Sequence, residues 1–255
     1  MRILYLGDIV GECTLPVLKA NLEALKREYK CNLVIVNAEN VSGGKGLTFK
    51  HYKELKSMGI AGMSMGNHAF SKSEIKDYMN EATIARPANY TTEYGKGYIY
   101  IKYNNEKIAL VNMLGRVYSN ASLDCPFKTM DNLLKEIDAD HIIVDFHGDA
   151  TSEKKAFFYE FAGKVDAVVG THTHTQTADE QVYNNTCFIS DLGMCGPKYS
   201  ILGDDVESII KRFRTGVYEP LKVSSDKEFI VCGAVLDLGV NRSISRVFKS
   251  FRATK

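Results

Sequence analysis

The sequence has no run approaching the roughly 18 uncharged apolar residues that a membrane-crossing helix needs, so a helical span is not expected. It has no excess of charge of either sign. Lys plus Arg number 32 and Asp plus Glu 31. A basic nucleic-acid groove or a membrane-surface patch therefore has no electrostatic support, and an anionic small substrate has to be attracted locally. There is no C-x-x-C pair: the cysteines at positions 13, 31, 125, 187, 195 and 232 are scattered. That spacing argues against a zinc–thiolate site and for reduced, mostly buried thiols at a cytoplasmic address. The N-terminal run Arg2 to Asp8 is too short for a signal-peptide core and contains a carboxylate, so it reads as a first strand. Repeats, low-complexity tracts and Pro/Ser linkers are also missing. The length suits one domain, 1–255, with room for a sizeable core.

Strand and helix patterns alternate along the chain, which favours an α/β fold with sheets covered by helices. Residues 2–7 predict a strand, and Leu15, Leu18, Leu22, Leu25 and Tyr29 recur at helical spacing. Leu33–Val36 and Gly62–Gly66 read as strands. Thr48–Met58 and Ser71–Glu81 read as helices, the second with Ser71 as N-cap. Tyr98–Tyr103 and Lys107–Leu114 flank Asn104-Asn105 as a hairpin. Helix 127–137, strand 141–146, helix 152–163, strand 165–170, strand Cys187–Ser190 and helix Val206–Phe213 follow. A second hairpin, 228–238 with 244–251, closes the chain. The expected architecture is one domain built from two stacked sheets.

Five short motifs stand at the ends of these strands: Gly7-Asp8, Asn37-Ala38-Glu39-Asn40, Gly66-Asn67-His68, Phe146-His147-Gly148 and His172-Thr173-His174. Ligands of layered α/β proteins gather beyond the carboxyl ends of strands. Imidazole and carboxylate donors without thiolate suit iron, manganese or zinc in an open site rather than a closed structural zinc site. Glu39 is the natural carboxylate to bridge two cations, and Asn40 and Asn67 offer neutral amide oxygens. Two divalent ions, two carboxylates and a bridging hydroxide sum to roughly one positive charge, enough to attract a phosphate without a basic surface. Two metals about 3.5–4 Å apart lower the pKa of a shared water and clamp both oxygens of an in-line displacement.

The order Gly-Asp, Asn-Ala-Glu-Asn, Gly-Asn-His, His-Gly-Asp-Ala and Gly-Thr-His-Thr-His resembles the calcineurin-like metallophosphoesterases, and more narrowly their YmdB-type branch. The likeness runs from Met1 to about Arg252. It includes Arg86-Pro87-Ala88-Asn89-Tyr90 and the stretch Asp191 to Pro197. The resemblance implies a four-layer α/β/β/α sandwich of two stacked mixed sheets with a di-metal site at one end. It implies Asp8, Glu39, Asn40 and His174 on one metal, and Glu39, Asn67, His147 and His172 on the other, with His68 as proton donor to the leaving oxygen. It further implies hydrolysis of phosphodiesters such as 2′,3′-cyclic nucleotides by a metal-bridging hydroxide, iron or manganese as the metal, and homo-oligomers. The chain departs from the broad superfamily: Asp8-Ile9-Val10 lacks the usual first-motif His, Glu39 stands where Asp is usual, and Asn67-His68 is followed by Ala69. These departures match the narrower branch.

Other polar residues have structural readings beside functional ones. His51 sits on a solvated helix face and His141 opens a strand without a motif. Asp149 either orients His147 or caps a helix ahead of Thr151. Arg86 either reaches a phosphate or anchors a loop. Gly43-Gly44-Lys45-Gly46 lacks Walker spacing and is a flexible loop near the site; residues 191–205 are a second contact to substrate. His68 is a metal ligand if it is not the acid. Rival functions are a phosphomonoesterase or nucleotidase, and a metal-binding regulator whose catalysis is incidental.

Overall fold

The computed structural model describes residues 1–119 and 121–253. A first sheet of seven strands comprises β1 (Arg2–Ile9), β2 (Leu33–Asn37), β3 (Gly62–Ser64), β4 (Ile84–Ala85), β11 (Met194–Pro197), β12 (Glu228–Asp237) and β13 (Ser243–Arg252). Their order is β13-β12-β11-β1-β2-β3-β4, with β1 to β4 parallel. A second sheet of six has the order β5-β6-β7-β8-β10-β9, formed by β5 (Tyr98–Tyr103), β6 (Glu106–Leu114), β7 (His141–His147), β8 (Ala167–Thr171), β9 (Gln181–Tyr183) and β10 (Thr186–Ile189). Its central strands β6, β7, β8 and β10 are parallel, and its edges β5 and β9 are antiparallel. Both sheets are mixed, as expected for the α/β sandwich.

Strand alternation explains the layering. Ile3 and Tyr5 of β1 point into a core shared with Ile99, Ile108, Ile143 and Val169 of the second sheet. Leu4 and Leu6 point the other way, against Leu18, Leu22 and Leu55. Those side chains belong to α1 (Leu15–Glu28) and α2 (Phe49–Ser57). The far face of the second sheet is covered through Met130, Phe157 and Phe161 by α4 (Pro126–Glu136) and α5 (Thr151–Phe161). Successive side chains on a strand face opposite sides, so one strand serves two cores. The result is helix, sheet, sheet, helix.

Several local expectations need correction. The helix predicted over 71–81 is a single turn, α3 (Ile75–Tyr78), and Ser71 does not cap it. The amide of Ser71 instead donates to the His68 carbonyl at 3.0 Å, closing a turn. Serine side chains and turns compete with helix here, and Ser71 with Ser73 supplies two of them. The strand expected over 62–66 ends at Ser64. β1 runs two residues further than expected, so Asp8 lies within it, beside Met194 of β11. Strands β4, β9 and β11 are too short or too polar to show as periodic runs, yet β11 sits beside β1 at the centre of its sheet. The remaining helix, α6 (Val206–Thr215), begins at its expected residue.

Candidate metal centre

The carboxyl ends of β1, β2 and β3 lie side by side in one sheet, and those of β7 and β8 lie side by side in the other. This brings Asp8, Glu39, Asn40, Asn67, His147, His172 and His174 to one end of the sandwich. Glu39, His147 and His172 offer donor atoms that all lie within 4.8 Å of one another. His147 Nε2 stands 3.0 Å from Glu39 Oε1, 3.0 Å from Asn67 Oδ1 and 2.9 Å from His172 Nδ1. A single proton on Nε2 satisfies one of these three acceptors; a cation can draw all of them together with the imidazole. Asn40 Nδ2 is 3.2 Å from His174 Nε2 and 3.5 Å from Asp8 Oδ1. A half-turn of its amide would present Oδ1 to the same space.

Each imidazole has its other nitrogen committed to an outer acceptor. His174 Nδ1 donates to the Leu202 carbonyl at 2.7 Å, which fixes its tautomer because a carbonyl can only accept. His172 Nε2 lies 3.3 Å from Asp149 Oδ2. His147 Nδ1 lies 2.9 Å from Thr171 Oγ1, whose single hydroxyl proton goes to Asp145 Oδ1 at 2.6 Å. Thr171 therefore accepts from His147, and Nε2 is left to face the cluster. Outer hydrogen bonds that turn imidazole lone pairs toward one point are the ordinary support of a metal site. Gly66 fits the same reading: a Cβ there would collide with Glu39 Oε2 and the His147 ring, so only glycine leaves these groups close together.

The electrostatics follow from burial. Asp8 is pushed up to about 6 by burial, against the pull of His174 and His147. Burial also opposes charge on Glu39, but the charge and hydrogen bond of His147 bring it down to about 2. Burial likewise opposes charge on His147, yet Glu39 and Asp8 raise it to about 9. His172 is lowered to about 4 by burial and by neighbouring His147. Without a cation, a proton on His147 Nε2 thus balances Glu39; a cation would replace that proton. His68 is held below its ordinary value by burial. Its amide donates to Glu39 Oε2 at 2.9 Å, and its Nδ1 lies 3.4 Å from Ser71 Oγ. The side chain is half-buried, beside the cluster.

Other sequence readings change. Arg86 is a buried loop anchor: its guanidinium donates to the carbonyls of Tyr94, Pro87, Ala88 and Thr92, and so is not free for a phosphate. Asp149 meets His172 rather than His147, and the N-cap of α5 is Ala150. The glycine loop is tethered, with Gly43 N donating to Glu12 Oε2 at 2.7 Å. In the 191–205 stretch, Leu202 acts by orienting His174. His51 Nδ1 pairs with Ser42 Oγ at 2.8 Å, and His141 pairs with Asp166, both away from the cluster.

Three supporting residues are given no role by the sequence reading. Asp145, fully buried between the sheets, accepts from Tyr5, Ser64, Asn37 and Thr171. The available signal is a lone carboxylate within the apolar strand Ile142 to Phe146. Lys154 and Asp191 form a buried ion pair at 3.0 Å. Lys154 also donates to the Thr171 carbonyl, and Asp191 accepts from the amide of Thr173, fixing the backbone that carries both histidines. That backbone is unusual, with φ of 102° at His172 and 61° at His174. Such positions are costly for a side-chain-bearing residue and persist where surrounding contacts enforce them.

The family model described as YmdB-like protein matches residues 4–248. A 2′,3′-cyclic-nucleotide 2′-phosphodiesterase of Bacillus subtilis (strain 168) is 42% identical over 243 residues, spanning 93% of this chain and 91% of its own. The solved structure of a hypothetical protein from Thermus thermophilus is similar with a TM-score of 0.91 at 33% identity, covering 100% of both chains. A phosphatase from Mycoplasma pneumoniae is similar with a TM-score of 0.91 at 35% identity, covering 99% of this chain and 93% of that one. With nearly its whole length matched in sequence and fold, this chain belongs to the YmdB-like family.

Proposed function

We propose that this phosphoesterase works as a single domain on phosphodiesters, with 2′,3′-cyclic nucleotides as the substrate class and a pair of iron or manganese ions as cofactor. The observation that carries the reading is the convergence of His147, His172 and His174, each turned inward by an outer acceptor, on Asp8, Glu39, Asn40 and Asn67. The proposed ligand sets are Asp8, Glu39, Asn40 and His174 for one ion, and Glu39, Asn67, His147 and His172 for the other. When bound, the ions supply positive charge for the phosphate oxygens and acidify an attacking water. Asp8 and Glu39 set the net charge of the centre, and Thr171, Asp149 and Leu202 hold the imidazoles in register. His68, beside the centre and outside both ligand sets, gives its proton to the departing alkoxide. Burial holds its pKa below the ordinary histidine value, so the imidazolium releases its proton readily. The activity of the Bacillus subtilis relative supports the cyclic-nucleotide assignment.

The test is turnover by purified protein with measured iron or manganese content, on 2′,3′-cyclic AMP, bis-p-nitrophenyl phosphate and a phosphomonoester. Cleavage of the diesters in preference to the monoester supports the reading. Fully loaded protein that cleaves neither diester refutes it. His68→Ala should retain both ions and lose most turnover; loss of metal in that variant would make His68 a ligand instead.

A further inference from the structure

Between the candidate centre and the loop after β6 lies a cleft of about 300 Å³. Asn67, His172 and the Asp149 carboxylate that pairs with His172 form its polar end, while Tyr90, Leu114, Val117 and Tyr118 form an apolar wall. Two of the wall residues are conspicuously bare: Tyr118 is 83% exposed and Val117 41%. The loop presenting them is nevertheless held. The Glu153 carboxylate accepts from the amides of Arg116 and Val117 at 3.0 and 3.1 Å, and Gly115 N donates to the His147 carbonyl at 2.9 Å. The wall is thus tied to the strand that carries a candidate ligand. A pre-positioned aromatic surface left to water, beside a polar centre, matches a ligand with a flat apolar body joined to an anionic group.

We propose that this cleft receives the nucleobase of a nucleotide substrate, with Tyr118 as the stacking surface and specificity determinant. The inference rests on the function proposed above and adds the place where the base is read. The base lies over Tyr118 while the phosphate reaches the centre past Asn67 and His172. Stacking on one aromatic ring tolerates every base, because each has a π face. Discrimination is therefore expected between substrates with and without a base, more than among bases.

The experiment compares wild-type holoenzyme, Tyr118→Phe and Tyr118→Ala on 2′,3′-cyclic AMP and on the base-free diester glycerol 1,2-cyclic phosphate. Tyr118→Ala should lower the ratio of kcat/KM for the nucleotide over the base-free diester about tenfold, chiefly through KM, as loss of one stacking contact implies. Tyr118→Phe, which keeps the ring, should preserve the ratio. An unchanged ratio in Tyr118→Ala overturns the proposal. Calorimetric binding of adenosine 3′-monophosphate against ribose 5-phosphate reads the same preference without turnover. If the wild type cleaves no diester, the functional reading fails, and this binding ratio still decides the cleft: a loss confined to the nucleotide in Tyr118→Ala upholds it, and equal binding overturns it.

Discussion

Removing the Thr171 hydroxyl tests the orientation of His147 directly. Thr171→Val keeps the β-branched shape and strand preference while deleting one oxygen. In the folded protein that oxygen donates to Asp145 at 2.6 Å and accepts from His147 at 2.9 Å. A hydrogen bond to a charged group contributes roughly 1.5–3 kcal/mol. The loss falls partly on stability and partly on the imidazole, which is then free to rotate or to adopt the other tautomer. Loss of an outer hydrogen bond to a ligating histidine typically costs roughly 10–100-fold in metal affinity, and about 1.4 kcal/mol corresponds to each factor of ten. Thr171→Val is therefore expected to bind manganese roughly tenfold or more weakly, measured by competition with a calibrated chelator. Thr171→Ser, which restores the oxygen, should recover most of that affinity. Wild-type affinity in Thr171→Val, or an equal loss in Thr171→Ser, would refute the reasoning, because neither result follows from a hydroxyl relay.

Three further outcomes are expected. Gly66→Ala should cut metal content sharply in a protein that still folds, since its Cβ would displace Glu39 and His147; elemental analysis alongside circular dichroism checks this. Lys154→Met should lower Tm markedly, because it leaves Asp191 buried without its counter-charge, a change that costs about 3–5 kcal/mol in other proteins. His141 is raised in the fold, chiefly by its hydrogen bond to Asp166. Its contribution to stability is then complete below the unfolded value of about 6.5 and disappears as pH rises through the raised folded value. Denaturant unfolding of His141→Gln against wild type should accordingly differ most at about pH 6 and converge in mild alkali; a difference that grows with pH would contradict this.

The candidate centre is legible in the sequence because its residues come in pairs and triplets at strand ends, often beside a glycine. Glu39-Asn40, Asn67-His68 and His172-Thr173-His174 each mark a place where a chain leaves a sheet. The layering is legible for the same reason: Ile3 to Leu6 and Ile142 to Val144 are apolar on both faces, as strands between two layers have to be. Features set by distant partners are not legible. Lys154 looks like any helix-surface lysine until Asp191 meets it from 37 residues away. Arg86 carries the chemistry of a phosphate ligand, and only the path of the 87–94 loop shows that backbone carbonyls already surround it. The 71–81 segment has a helical pattern, but the turn that positions His68 takes its first residues. Asp149 and His147 are neighbours in sequence, and local proximity pointed to the wrong histidine.

The candidate ligands are divided by sheet. Asp8, Glu39, Asn40 and Asn67 arrive from the seven-stranded side, whereas His147, His172 and His174 arrive from the six-stranded side. An ion held there would clasp the two halves at one rim, as a button closes a collar, while the opposite rim relies on aliphatic packing. Stripping the ion should therefore loosen the protein unevenly. Deuterium uptake should rise first at the ends of β2, β7 and β8 and leave their starts quiet, so that occupancy of the centre sets the local rigidity of the rim that has to grip the substrate.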